Sequence, residues 1–273
     1  LPASVEVVKA GDGKPVVVKD AVVESRSGLF HRVRIPRRAA PAALRLVAGD
    51  HAVTQPLSPP PAWPAGGAWV FAALGDSRDN AVAWGKIAAA VAAQNPRLVL
   101  HNGDFVGSGT VDHSWETDFA APAAELLGRV PMYPAIGNHE RNAPLYDEVF
   151  VTPGEGGRNR NWAQAVGEVL LIGIDGAQEW APDSDNAKWL AGVLAPSRAK
   201  FILLMSHYPA WSSGRHGKAG ADGKPAEKTV RQMQETVMPL LERCRATAML
   251  AGHDHNYERS EPPGGVSMIV MGG

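Results

Sequence analysis

The segment AGHDHNYERS, residues 251–260, places His253 and His255 one residue apart directly after an apolar run. On an extended chain, side chains at i and i+2 leave the same face, so the two imidazoles converge on one point. Convergent imidazoles suit metal binding or proton transfer, while an HxH by itself is read equally well as two unrelated loop histidines. Further polar clusters decide between these readings. Each follows an apolar run of strand length: GDSRDN with Asp76 and Arg78, HNGDFVGSG with Asp104, GNHE with Asn138 and His139, and SHYP with His207. Ligand sites in α/β sheets collect outside the carboxyl ends of the strands, so these clusters are expected to meet at one edge. Their donors are carboxylates, an amide and imidazoles with no thiolate, a set that suits manganese, iron or zinc and does not select one. Because most of these ligands are neutral, cations held by them would leave the site net positive and attractive to an anion.

The elements that must position these residues follow from the apolar pattern. From Trp69 onward, strand-length runs (WVFAAL, RLVLH, VPMYPAI, EVLLIGI, KFILLM, ATAMLA, VSMIVM) alternate with helical segments, and near-continuous apolar strands of this kind are buried on both faces. Helices are expected over 80–94, with Val82, Trp84, Ile87 and Val91 as its apolar face and an Asn95-Pro96 stop, and near 114–128, 185–195 and 227–243. Residues 1–65 read as a small antiparallel β unit ending in the Pro-rich linker QPLSPPPAWPAGG, with the boundary near Gly66 and a second, larger domain over 66–273.

Composition narrows the class. The chain has 273 residues and a net charge of −1, so it lacks the basic surplus of a nucleic-acid binder. No segment reaches the ~20 apolar residues of a membrane helix. The single cysteine, Cys244, lies in a helical pattern as a small hydrophobe and no internal disulfide is possible, so cysteine usage does not decide the compartment. The opening LPASVEVV lacks a Met and a leader, which leads to the expectation of a processed, secreted or periplasmic protein.

The ordered set GD, GD, GNHE, H, GHxH resembles the calcineurin-like metallophosphoesterases over residues from about 70 to the end, and within them the bacterial relatives of purple acid phosphatases. The resemblance implies an αββα sandwich of two mixed sheets and a dinuclear centre. Asp76, Asp104 and His255 would hold the first metal, and Asp104 would bridge to the second, completed by Asn138, His207 and His253. It implies a phosphoester hydrolase in which metal-bound hydroxide attacks a small-molecule phosphomonoester while His139 assists the leaving group. A phosphodiesterase using the same site is the alternative. The N-terminal unit resembles part of a fibronectin-type sandwich, shorter than the ~100 residues such a fold needs.

Two departures from the pattern matter. Many relatives carry a metal-binding His where this chain has Arg78, and purple acid phosphatases carry a Tyr where it has Gly107. A guanidinium cannot ligate, so the first metal has three evident ligands, with His113 a conceivable fourth. Arg78 is expected either to clamp a substrate phosphate or to pair with Asp79 or Asp76. A non-catalytic binding protein with an incomplete first site is the rival class, to be told apart by metal stoichiometry. His216, in the Gly-rich loop after SHYP, is a substrate-side candidate. Glu140 is expected to support its turn, His101 to be a core histidine, and Tyr257 and Arg259 to be structural. Trp84 and Trp189 are expected in the core, Trp115 and Trp211 near the site. His31 and His51 are given no role.

Overall fold

A computed structural model describes residues 3–9, 22–25, 30–35, 41–48, 50–56, 68–153 and 160–273. The chain divides into two compact units, Leu1–Ala62 and Trp63–Gly273. Most of the Pro-rich linker, residues 57–67, lies outside the described residues.

In the first unit, β1 (Ala3–Lys9), β4 (Pro41–Ala48) and β5 (His51–Pro56) form an antiparallel sheet in the order β1-β4-β5, and β2 (Val22–Ser25) pairs antiparallel with β3 (His31–Arg34). Glu6 lies opposite Arg45 in this register, and the guanidinium donates to its carboxylate at 2.8 Å. Cross-strand pairs of opposite charge help to hold register. The final strand, HAVTQP, gives little sequence signal because it runs straight into the Pro-rich stretch.

The second unit contains two sheets. The smaller is parallel, in the order β6 (Ala72–Leu74), β7 (Val99–His101), β8 (Met132–Pro134). The larger has the order β13-β14-β12-β11-β10-β9, built from β9 (Trp162–Val166), β10 (Val169–Gly173), β11 (Phe201–Met205), β12 (Ala248–Ala251), β13 (Tyr257–Ser260) and β14 (Ser267–Met271). Its four central strands are parallel, and β9 and β13 add antiparallel edges. Alternation along each strand divides the core. Leu171, Leu203, Met205, Ala248 and Leu250 pack with Leu98 and Leu100 between the sheets, whereas Ile172, Ile202, Leu204, Met249, Met268 and Val270 face helix residues such as Leu190, Val237 and Leu241. This is the expected αββα layering, and it requires the apolar runs that the strands show.

The helix Ala81–Ala93 starts where the Asn80 side chain accepts the Ala83 N–H at 3.0 Å. Its buried positions are Trp84 and Ala88, while Val82 and Ile87 are 71% and 44% exposed, contrary to the expected apolar face. Trp84 lies parallel to Phe119 with ring centroids 5.9 Å apart and meets His101 edge-on at 6.0 Å.

Of the other expected helices, Asp185–Leu194 is continuous, whereas the regions 112–127 and 228–243 are interrupted. π-helical turns occupy Trp115–Ala120 and Met233–Val237, the second just before Pro239, whose missing N–H cannot continue the regular ladder. Trp115 is fully buried and bonded to the Gly109 carbonyl at 3.1 Å, so it belongs to the core and not to a pocket wall. Trp211 and Trp189 are both partly buried and pack against the outer core.

Candidate metal centre

The parallel strands deliver their polar clusters to one edge. Asp76 follows β6, Asp104 follows β7, Asn138 and His139 follow β8, His207 follows β11, and His253 and His255 follow β12. Asp76, Asp104 and His253 have φ of +57°, +56° and +72°, so the chain reverses sharply just past each strand. Such conformations are costly for residues other than glycine and persist where the surroundings hold them. Here neighbouring backbone holds the acids: Asp76 N–H donates to the Gly103 carbonyl, His253 N–H to Asp76 Oδ2 at 3.0 Å, and His139 N–H to Asp104 Oδ1 at 2.9 Å. Gly137 and Gly252 permit this approach, since a Cβ at either position would collide with the Asp104 or Asp76 carboxylate.

Glu140 fixes the Asp104 turn. It is fully buried, and its carboxylate accepts N–H bonds from Asp104 (2.9 Å), Phe105 (2.8 Å) and Gly137 (2.7 Å). Burial, with the charge of Asp104, pushes it up to about 7 against the pull of these donors.

The tautomers of two histidines follow from their partners. His207 Nδ1 faces the Asn102 carbonyl at 2.9 Å, so it carries the hydrogen and Nε2 presents a lone pair. His253 Nε2 faces the Glu227 carboxylate at 3.1 Å, so Nδ1 presents a lone pair. Burial, with the His207 ring beside it, pushes His253 down to about 4 and keeps it neutral. His207 Nε2 then lies 2.9 Å from Asn138 Oδ1 and 3.1 Å from His253 Nδ1, with Asp104 Oδ1 3.5 Å away. Acceptor atoms directed at one another with no hydrogen between them fit a cation, and the O/N donor set fits manganese, iron or zinc.

The expected first set is arranged differently. Asp76 Oδ1 is buried without a hydrogen-bond partner, and His255 Nε2 lies 3.4 Å from it. Burial alone would raise Asp76, yet His255, His207 and the His253 N–H together hold it below the usual carboxylate range. Arg78 lies among these groups. It donates from Nε to Asp104 Oδ2 at 3.2 Å, pairs with Asp79, and brings Nη2 within 3.4 Å of His255 Nε2. Of its expected carboxylate partners, Asp79 is engaged and Asp104 takes the place of Asp76. His113 is exposed and does not line the cleft, and Gly107 contributes its carbonyl, which faces His139 Nδ1 at 2.9 Å.

Above these residues is a cleft of about 440 Å³ lined by Arg78, Asp104, Asn138, His139, Arg215, His216, His253 and His255, among others. His216 is not a free loop histidine: its ring lies 3.7 Å from that of His253 and its Nδ1 bonds Glu227. Sequence reasoning missed Glu227, which joins both rings, and Asp254, whose Oδ1 accepts the His216 N–H at 3.1 Å. The HDH spacing offered a signal for Asp254. Glu227 had none, because it lies 26 residues from His253 in sequence.

The calcineurin-like phosphoesterase family model matches residues 70–257. The chain belongs to this family. As a calcineurin-like phosphoesterase it is similar to human tartrate-resistant acid phosphatase type 5, at 36% identity over 84 residues, 31% of this chain and 22% of that protein. It is also similar to the probable inactive purple acid phosphatase 24 of Arabidopsis thaliana, at 24% identity over 187 residues, 60% of this chain and 29% of that protein. The chain therefore spans under a third of either relative's length. The fold matches that of a purple acid phosphatase from yellow lupin seeds with a TM-score of 0.68 at 16% identity, over 84% of this chain and 49% of that one. The family is one of dinuclear enzymes, which implies two metal ions, and the residues described above supply candidate ligand groups.

His101, at the end of β7, is a core histidine. The Gly103 N–H donates to its Nδ1 at 3.3 Å, Ser77 Oγ faces its Nε2 at 3.0 Å, and Phe105 stacks on it at 3.9 Å. Burial pushes it from 6.5 down to about 3. The folded state thus excludes a proton that the unfolded chain accepts below pH 6.5, so this residue's stabilising contribution is present above that pH and is lost as pH falls towards 3. The expected loss is roughly 1.4 kcal/mol per pH unit within that window. Urea unfolding of metal-free protein at several pH values would show it, and His101→Gln should have a shallower slope; equal slopes would refute the assignment.

Proposed function

We propose that this protein hydrolyses phosphomonoesters in the cleft above Asp104. The observation that carries the reading is the convergence of His207 Nε2, Asn138 Oδ1 and His253 Nδ1 beside the buried Asp104, on the floor of a cleft lined by Arg78, Arg215, His139 and His216. A metal held by Asp104, Asn138, His207 and His253 supplies Lewis-acid activation of water and of a phosphoryl oxygen. The side chains do the rest. Arg78 and Arg215 present donors to a phosphate, favouring the more highly charged monoester over a diester. The Gly107 carbonyl takes the Nδ1 hydrogen of His139 and leaves Nε2 as the atom that exchanges a proton with the leaving-group oxygen.

The reading is tested with p-nitrophenyl phosphate and bis(p-nitrophenyl) phosphate on manganese-loaded protein. The monoester should be turned over with the higher kcat/KM. Faster diester cleavage would move the assignment to a phosphodiesterase, and cleavage of neither would leave a binding protein. His139→Ala should cost about 10²-fold in kcat. That loss should be greater for an alkyl phosphate, whose alkoxide leaves reluctantly, than for p-nitrophenyl phosphate. An equal loss on both would remove His139 from leaving-group protonation.

A further inference from the structure

We propose that this chain binds one metal ion, in the Asp104–Asn138–His207–His253 set, and that the Arg78 guanidinium stands in for the second cation and grips the substrate phosphate. The proposal rests on the phosphoester-hydrolase reading above and concerns only how the positive charge of that site is supplied.

The family's first-metal groups in this chain are Asp76, Asp104 and His255. The side chain of Arg78 is 16% exposed and held from several directions: by Asp104 Oδ2 at 3.2 Å, by Asp79, and by the approach to His255 Nε2 at 3.4 Å. A guanidinium keeps its charge throughout the accessible pH range and offers donors only. Any metal ion drawn to these groups meets a fixed positive charge that already occupies Asp104 Oδ2 and lies beside His255 Nε2. The residues that could relieve this are missing: position 107 is Gly, without a side chain to ligate, and His113 does not line the cleft. In the second set Arg78 touches Asp104 through Oδ2 and leaves Oδ1 facing His207 Nε2 at 3.5 Å. The lone pairs of this set face one another, and its hydrogen-bonded partners, the Asn102 carbonyl and Glu227, orient the rings from outside.

Arg78 is also suited to the task the ion would perform. Its planar fork has five N–H donors, more than its protein partners take up, and it lines the same cleft as Asn138 and His253. A phosphate between metal and guanidinium would meet positive charge on two sides, and with Asp76 and Asp104 the site would keep a smaller positive excess than two ions would give it.

Metal content decides the matter. Wild-type protein equilibrated with Mn(II) and desalted should retain about one ion per chain by elemental analysis, and His207→Ala should lose it. The wild-type electron paramagnetic resonance spectrum should be that of isolated Mn(II), without exchange coupling, a readout that needs no variant to fold. Arg78→Ala, shown to be folded by circular dichroism, should bind a second ion and develop the coupled signal. Two tightly held, coupled ions in the wild type would overturn the proposal and leave the hydrolase reading standing. One ion in both wild type and Arg78→Ala would overturn the role given to Arg78. No ion in the wild type would overturn the metallohydrolase reading beneath it.

Discussion

Asp104→Asn is expected to lower kcat for p-nitrophenyl phosphate by about 10³-fold, equivalent to roughly 4 kcal/mol of transition-state stabilisation. The change preserves shape, so the effect isolates charge. Asp104 is the carboxylate that links these groups: Oδ2 accepts from Arg78 at 3.2 Å, Oδ1 accepts the His139 N–H at 2.9 Å, and the carboxylate lies 3.5 Å from His207 Nε2. A neutral amide weakens the attraction for a cation and leaves Arg78 without one of its two carboxylate partners. Metal content should therefore fall together with turnover, while circular dichroism reports a native fold. An Asn variant that keeps its metal and remains within tenfold of wild-type turnover would remove Asp104 from the centre of the chemistry.

Glu140→Ala should be the most destabilising single change near the site. The carboxylate accepts the N–H groups of Asp104, Phe105 and Gly137, and Glu140 is fully buried. A buried donor without a partner costs about 1–3 kcal/mol, so the loss is expected to be on the order of 3–6 kcal/mol in urea unfolding of the metal-free protein. Glu140→Gln should fall between, because the amide keeps one acceptor oxygen but turns an N–H donor towards backbone N–H. Activity should drop with stability, since these N–H groups set the turn that aims Asp104. If Ala costs under 1 kcal/mol, water replaces the carboxylate and the turn holds itself.

The sequence by itself determined the class of this protein. Apolar runs ending in GD, GD, GNHE, SH and GHDH can be satisfied by parallel strands buried on both faces whose carboxyl ends meet, and the family match covers the same stretch. The helix starting after Asn80 was legible from its helical spacing and its Asn-Pro stop. What escaped was elements and contacts without a local pattern. The edge strands β9 and β13 are short and partly polar, so they form because a buried neighbour offers hydrogen bonds, not because of their own composition. Val82 and Ile87 matched the helical period but face outward, because Trp84 and Ala88 are the side that packs. Only the tertiary structure decided the details of the site. It brought Glu227, from the far end of the His216 loop, between His216 and His253, set the tautomers of His207 and His253, and directed Arg78 towards Asp104 as well as Asp79. Strand patterns and ligand motifs are encoded locally by residue type and spacing, whereas hydrogen-bond partners and the direction of a long flexible cation depend on which distant groups folding brings within about 3 Å.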